Sequence, residues 1–228
     1  MVADSCEIPS RSRAVEDYLK AVYKLQQHAP AVSTTDLAAE LDRSAASVTN
    51  MVKGLAERGL LEHTPYRGVS LTASGELTAL RIIRRHRVLE LYLIEKLGYS
   101  WADVHAEADR LEHAASDALI DHMARALGEP SVDPHGSPIP TRAGEIASTP
   151  WVSLASLSLG RMGVVREVDD DSADALRTLA SFGLFPGARI RILDRVGGGR
   201  TSVTVDDRAV EIDEDLARTV FVEPEEVA

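Results

Sequence analysis

His86 and Glu90 stand four residues apart. His105, Asp109 and Glu112 follow at intervals of four and three, with His113 beside the last. On a helix of 3.6 residues per turn the first pair shares one face, and the second set stacks along another. Imidazole nitrogens and carboxylate oxygens without a cysteine suit Mn²⁺, Fe²⁺ or Zn²⁺, whereas Ca²⁺ takes oxygen alone. Six such side chains between Arg84 and His113 exceed what a solvated helix face requires, so the chemistry they point to is metal binding. A hydrolytic metalloenzyme would add an open coordination position, a substrate pocket and a general base. No HExxH motif is present, and nothing in the chain suggests a pocket.

The elements that must hold these residues are legible from apolar spacing. Ala73 to Leu97 reads as one long helix carrying His86 and Glu90. Ala79, Ile82, Ile83, Val88, Leu89, Leu91, Tyr92 and Leu93 make it apolar on more than one face, as befits a helix that is central or shared with another subunit. Gly98 ends it. Trp101 to Leu127 gives one or two further helices, with Leu111, Ala115, Leu119, Ile120 and Met123 along one face. This pair is the candidate interface of a homodimer.

Upstream, Arg13 to Gln27 is predicted helical, with Val15, Leu19, Val22 and Leu25 as its apolar stripe. Asp17 lies near its start, where an acid commonly complements the helix dipole. Ser33 caps a short helix, Asp42-Arg43 makes a turn, and Ser44 caps a second helix ending at Gly59. That is a helix-turn-helix pattern. The first turn of its second helix shows only small and polar side chains, among them Ser44, Ala46, Ser47 and Asn50, and such a helix end can approach base edges and phosphates. Leu60-Leu61 and Val69–Thr72 then read as two short strands about a turn at 65–68, with Tyr66 and Arg67 at its tip. The expected DNA contacts are Ser44, Ala46, Ser47, Asn50 and Arg67, with Asn50 reading a base and most of the others touching phosphates.

Composition frames the class. The 228 residues are 44% hydrophobic and 27% charged, as in a soluble globular chain. Cys6 alone permits no internal disulfide, and the N-terminus has no signal-peptide pattern. No apolar run reaches the roughly 20 residues of a membrane span. A cytoplasmic location follows as the expectation. The net charge of −11 is uneven: residues 1–75 carry eight basic against nine acidic residues, whereas 151–228 carry nine against fifteen. Net charge alone would not suggest a nucleic-acid binder, so DNA binding would need a local basic face or a bound cation. Five prolines mark 128–150 as a linker. Beyond it, five short strands (164–165, 189–193, 201–205, 209–212 and 219–222) and a helix over 172–181 suggest a small barrel. Asp169, Asp170, Asp171 and Asp174 cluster before and within that helix. They read either as a solvated, capped turn or as a carboxylate offered to a metal. His28, His63, His122 and His135 read as structural or surface residues.

With EDYLKAVYKL, RRHRVLELYL, VHAEADRLEHAASD, DPHGSPIP, the winged helix and the barrel in view, the chain resembles the diphtheria toxin repressor family of metal-dependent repressors, and within it the manganese-sensing branch. The resemblance covers nearly the whole chain. It implies a mainly α protein with small β parts: a winged helix-turn-helix over 1–75, a helical metal-binding and dimerisation domain over 76–150, and an SH3-like β-barrel over 151–228. It implies two metal sites per subunit, His86, Glu90 and His105 in one, and Asp17, Asp109, Glu112 and His113 in the other. Asp17 and Asp109 stand where iron-sensing relatives have methionine and cysteine, and hard oxygen there favours Mn²⁺ over later metals, with Fe²⁺ the alternative. Lys20 occupies a place where some manganese sensors without the barrel have a ligating glutamate. The family's barrel ligands are not matched, and Asp170, Asp171 or Asp174 is the substitute to test. The implied partners are a homodimer and a palindromic double-stranded DNA operator, with no membrane and no organic cofactor. Rival readings are an iron sensor of the same architecture and a winged-helix regulator with an organic effector.

Overall fold

The computed structural model describes residues 12–64, 67–196 and 199–225. Tyr66, Cys6, the tail over 1–10 and the last residues of the EPEEVA end lie outside them. The chain divides into two compact units: residues 1–85 with 112–114 and 140–145, and residues 86–111 with 115–139 and 146–228.

In the first unit, helix α1 (Arg13–Gln26) buries Tyr18, Leu19, Ala21 and Val22, the stripe that its apolar spacing announces. Ser33 caps α2 (Thr34–Glu40) by accepting from the Asp36 amide at 3.0 Å, and Ser44 caps α3 (Ala45–Glu57) through the Ser47 amide at 3.3 Å. Each cap satisfies an amide that the first helical turn would otherwise leave open. Leu37, Val48, Val52 and Leu55 are fully buried between these helices. Strands β1 (Leu61–Thr64) and β2 (Gly68–Leu71) pair antiparallel, and Val32 bridges Val69 at their side. Gly68 has φ +103°, and a Cβ there would stand 2.7 Å from the Val32 carbonyl oxygen. Only glycine fits at this point of the wing.

Helix α4 (Ala73–Leu97) runs 25 residues, with the bounds its apolar spacing predicts. In the second unit it is followed by α5 (Val104–Leu111) and α6 (Asp117–Ala126), so the stretch 101–127 resolves into two helices. The C-terminal part is an antiparallel six-stranded sheet in the order β3-β8-β4-β5-β6-β7, with the SH3-like fold expected. Its strands are β3 (Val152–Ser153), β4 (Met162–Val168), β5 (Arg189–Val196), β6 (Arg200–Val205), β7 (Arg208–Asp213) and β8 (Val220–Pro224). Strand β3 adds a sixth member that two residues could not announce in the sequence. Bulges in β4 and β5 bend the strands around a core that includes Leu154, Leu176, Leu179 and Ile192. Helix α7 (Ala173–Phe182) ends at left-handed Gly183, and α8 (Glu214–Arg218) is capped by Asp213.

The segment 133–137 docks on β4. Val168 donates its amide to the His135 carbonyl at 2.9 Å, and Ser137 Oγ donates to Glu167 at 2.8 Å. Gly136 (φ +92°) lies so close to Arg166 that a Cβ would meet its carbonyl oxygen at 1.9 Å. This docking brings the loop and the acidic turn after β4 to one place.

Candidate metal centre

The first cluster lies in the second unit. His86 and Glu90 project from one face of α4, as their spacing predicts, with His86 Nε2 2.9 Å from Glu90 Oε1. His105, near the start of α5, brings Nδ1 to 3.1 Å from His86 Nε2 and 3.2 Å from Glu90 Oε1. Asp170 from the turn after β4 places Oδ2 3.3 Å from the same His105 nitrogen. Of the three aspartates the sequence left open, Asp170 is the one that turns inward. Asp171 is exposed, and Asp174 is 93% exposed with its carboxylate on Arg177.

Two residues that the sequence reading passed over complete this cluster. His135, set aside as structural or surface, is fully buried, with Nδ1 3.9 Å from both Glu90 Oε2 and Asp170 Oδ2. Its Nε2 lies 3.0 Å from the Trp101 carbonyl. A carbonyl only accepts, so Nε2 carries a proton, and Nδ1 is the nitrogen left to face Glu90 and Asp170. Asp133, also buried, accepts the His135 and Ser137 amides on Oδ1 and has Arg87 at 3.4 Å from Oδ2. The signal available in the sequence was the compact DPHG turn, which places an acid and an imidazole two residues apart.

Glu90 Oε2, Asp133 Oδ2 and His135 Nδ1 are buried without a hydrogen-bond partner among the described residues. Asp133 Oδ2 has the Arg87 guanidinium at ion-pair distance, but Glu90 Oε2 and His135 Nδ1 are left facing each other, which is costly to bury and which a bound cation would relieve. The spacing also fits. Donors bonded at about 2.2 Å to one octahedral ion lie about 3.1 Å apart when adjacent and about 4.4 Å when opposite, and the distances here run from 2.9 to 3.9 Å. Mixed nitrogen and oxygen donors suit Mn²⁺, Fe²⁺ or Zn²⁺.

The electrostatics agree. Burial raises the Asp170 pKa, but the hydrogen bond from His105 and the charges of His105, His86 and His135 hold it well below the usual carboxylate range. Glu90 is likewise lowered: its burial is outweighed by the His86 charge and the hydrogen bonds from His105 and His86. Burial disfavours a charged His105, yet bonding to Asp170 and Glu90 pushes its pKa up to about 10. Burial drives Asp133 well upward, with Arg87 opposing. At neutral pH the His105 proton therefore supplies positive charge that a metal ion would replace.

The second cluster lies in the first unit. His113 Nε2 is 3.0 Å from Asp17 Oδ1 and 3.5 Å from Glu112 Oε1, and its Nδ1 is 2.7 Å from Glu16 Oε2. Glu16 is buried and paired through Oε1 with the buried Arg85 guanidinium at 3.2 Å. The Glu16 carboxylate on Nδ1 fixes the ring so that Nε2 faces Asp17 and Glu112, the arrangement by which ligating histidines are commonly oriented. Sequence reading named Asp17 and missed Glu16. The two adjacent acids diverge from α1, one inward and one half-exposed. Burial raises the Asp17 pKa against the charges of His113 and Arg13. Lys20 Nζ touches both Glu112 oxygens, at 3.2 and 3.1 Å. Asp109, grouped by resemblance with Asp17, reaches His86 Nδ1 at 3.4 Å and His105 Nε2 at 3.8 Å, so its carboxylate borders the first cluster.

At the other end of the first unit, Ser44, Ala46, Ser47 and Asn50 are exposed on the first turns of α3, and Arg67 is exposed beside β2. Thr49 bonds back to the Ala45 carbonyl at 2.8 Å, leaving that surface small. Among the described residues, no helix is long and apolar enough to cross a membrane.

Comparison with known proteins matches each part. Residues 11–69 match the iron-dependent repressor N-terminal DNA-binding domain, 72–141 the iron-dependent repressor metal-binding and dimerisation domain, and 152–224 the FeoA domain. The chain is 29% identical over 221 residues to the iron-dependent repressor IdeR of Mycobacterium tuberculosis (strain ATCC 25618 / H37Rv), covering 91% of this chain and 96% of that one. It resembles a solved manganese-dependent transcriptional repressor in complex with manganese, with TM-score 0.86 and 38% identity over 91% of this chain and 98% of that one. The apo form of the manganese-activated repressor ScaR gives TM-score 0.79 and 30% identity over 91% and 99%.

Proposed function

The chain belongs to the diphtheria toxin repressor family, that of the iron-dependent repressors, which are DNA-binding transcriptional repressors rather than enzymes, and we propose that it is a manganese-activated member acting on genes of metal homeostasis. The observation that carries the metal reading is the approach of Glu90 Oε2 and His135 Nδ1, buried 3.9 Å apart with no hydrogen-bond partner for either among the described residues. Manganese over iron rests on oxygen donors at Asp17 and Asp109, since softer donors would favour later metals. Iron is the second reading, favoured by the name of the mycobacterial relative.

Two ions per subunit would be held, one by His86, Glu90, His105 and Asp170 with Asp133 and His135 alongside and Asp109, which borders this cluster, a further oxygen donor, the other by Asp17, Glu112 and His113. A bound divalent ion supplies the positive charge that these carboxylates and lone pairs share. In the second cluster Asp17 then ties α1 to the segment 112–114, and α1 packs against α2. Fixing α1 restrains the helix-turn-helix, and the ion favours the DNA-competent homodimer by the difference in its affinity for the two states. Residues 1–75 would bind DNA, 76–150 would bind metal and dimerise, and 151–228 would supply Asp170. Ser44, Ala46, Ser47 and Arg67 would contact phosphates and Asn50 a base edge, with a palindromic operator matching the dimer's two-fold symmetry.

Fluorescence anisotropy with the promoter of the protein's own neighbouring genes tests this, titrating Mn²⁺, Fe²⁺ under anaerobic conditions, Zn²⁺ and Mg²⁺ at one fixed salt concentration. Tightening with Mn²⁺ at concentrations where Fe²⁺ does less is the expected result. An equal response to both would replace manganese selectivity by selection through metal supply. Binding indifferent to every metal would return the protein to the organic-effector reading.

A further inference from the structure

Lys20 lies three residues after Asp17 on α1, so the two share a face. Its ammonium lies 3.2 and 3.1 Å from the two oxygens of Glu112, whose side chain is 1% exposed, while that of Lys20 is 27% exposed. It also acts on Asp17, where its charge opposes the rise caused by burial. Glu16 pairs with Arg85 and His113, which leaves Asp17 and Glu112 to face Lys20. The ammonium therefore stands on the carboxylate that a divalent ion would use. A cation bound to Glu112 and an ammonium at contact distance from the same oxygens repel each other strongly in a partly buried site. Lysine has the means to leave, since a four-carbon stem with a rotatable, strongly hydrated head can swing into water.

We propose that Lys20 is a tethered cation that competes with the divalent ion for Glu112 and thereby sets the metal concentration at which the second cluster fills. This rests on the metal reading of that cluster and adds a threshold to it. Lys20 holds Glu112 in the metal-free protein and moves to solvent as the ion is taken up. A monovalent competitor of this kind opposes every divalent ion alike, so it shifts affinity without reordering metals.

The test uses the full-length protein and Mn²⁺ alone, with free Mn²⁺ read by electron paramagnetic resonance. Comparing wild type with Asp17→Asn identifies the binding step that belongs to this cluster. In Lys20→Gln that step should tighten by about tenfold, the order expected for losing one charge-assisted hydrogen-bonded competitor. In Lys20→Arg, which keeps the charge, it should not tighten. Zn²⁺ should gain by a similar factor. A second readout follows the amine itself: acylation of Lys20, read by mass spectrometry, should rise when Mn²⁺ is added to wild type and stay flat in Asp17→Asn. An affinity in Lys20→Gln within twofold of wild type overturns the proposal, as does Lys20 labelling that ignores the ion. A gain that persists in the Lys20→Gln/Asp17→Asn double variant also overturns it, by placing the effect elsewhere. Wild-type protein that takes up no Mn²⁺ would remove the metal reading itself, and this inference with it.

Discussion

The two clusters solve the same electrostatic problem in opposite ways. In the second, the chain supplies its own cations: Arg85 lies on Glu16 and Lys20 on Glu112. In the first, Arg87 lies on Asp133, but Glu90 Oε2 and His135 Nδ1 face each other at 3.9 Å with no hydrogen bond to either among the described residues, and the positive charge beside Glu90 is carried by protons on His86 and His105. A cluster that balances its own charge can stand ordered without metal and respond to it by degrees. One that leaves acceptors orphaned depends on the ion for its stability. The first cluster is thus the one whose loading should show in the stability of the fold, and the second the one whose loading should show in DNA affinity.

The largest expected effect tests the first half of that contrast. With free Mn²⁺ at a hundred times its dissociation constant, an ion held only by the folded state adds about 2.7 kcal/mol, or about 5–10 °C in Tm for a chain of this size. Glu90→Gln keeps the shape but removes the charge between the two histidines and the orphaned acceptors. It should abolish most of the Mn²⁺-dependent rise seen by calorimetry, and His135→Ala should reduce it. A full rise in Glu90→Gln would show that the first cluster does not depend on the ion.

Next is Asp17→Ala, directed at the other half. Its carboxylate is 37% exposed, so the metal-free Tm should change little and the dimer should persist. Metal-dependent operator affinity should fall by about a hundredfold, within the usual range of a coupling between two sites. Operator affinity equal to wild type would sever the second cluster from DNA binding, and with it the distinction drawn between the two.

How much of this contrast the sequence disclosed follows from the kind of element involved. His86 and Glu90, and His105 with Asp109, were legible because helical periodicity turns spacing into a shared face, and the 25 residues of α4 were bounded without error by apolar pattern and a terminal glycine. Glu112 and His113 lie in the turn just past α5, so the expected single face from His105 to His113 is broken there and only their residue types marked them. Asp133, His135 and Asp170 come from a loop and a turn, where spacing carries no direction. They meet only because Gly136 lets the loop press against β4, a tertiary fact. Asp170 was one of four nearby acids with nothing local to distinguish it. Glu16 and Asp17 posed a finer problem, since a change of helix phase by one residue exchanges the inward acid with the half-exposed one. Lys20 was noticed as a departure from a ligand pattern, but its bond to Glu112 spans 92 residues of sequence. The six-stranded sheet was read with five strands because a two-residue strand has no periodicity to detect.

The pH dependence sharpens the comparison further, with a smaller effect. His105 has its pKa raised from 6.5 to about 10 in the metal-free fold. The stabilisation from its imidazolium is fully present below pH 6.5 and is lost as pH rises through 10. Asp170 has a lowered pKa, so its contribution is present above the ordinary carboxylate range and lost only at far more acidic pH. A metal ion must displace the His105 proton. Its uptake at the first cluster should therefore release about one proton at pH 7.5, and the apparent affinity there should rise by up to about tenfold per pH unit. Calorimetric titrations in buffers of different ionisation enthalpy measure that release. In Glu90→Gln the release should shrink, because one of the two carboxylates raising the His105 pKa is gone. Release unchanged by that substitution would mean the proton comes from elsewhere.

The smallest effect isolates DNA contact from both clusters. Arg67 lies exposed beside β2, outside every group of side chains that could hold a metal among the described residues. Arg67→Ala should leave Mn²⁺ uptake and the Mn²⁺-dependent rise in Tm as in wild type. It should lower operator affinity to a similar degree across sequences and reduce the slope of log affinity against log salt by about 0.9, the signature of one lost phosphate contact. Asn50→Ala, on the exposed turn of α3, should instead cost more on the operator than on unrelated DNA and leave the salt slope unchanged. If Arg67→Ala altered Mn²⁺ uptake, the wing and the metal clusters would be energetically linked in the absence of DNA. The separation between a cluster read in stability and a cluster read in DNA affinity would then have to include the wing.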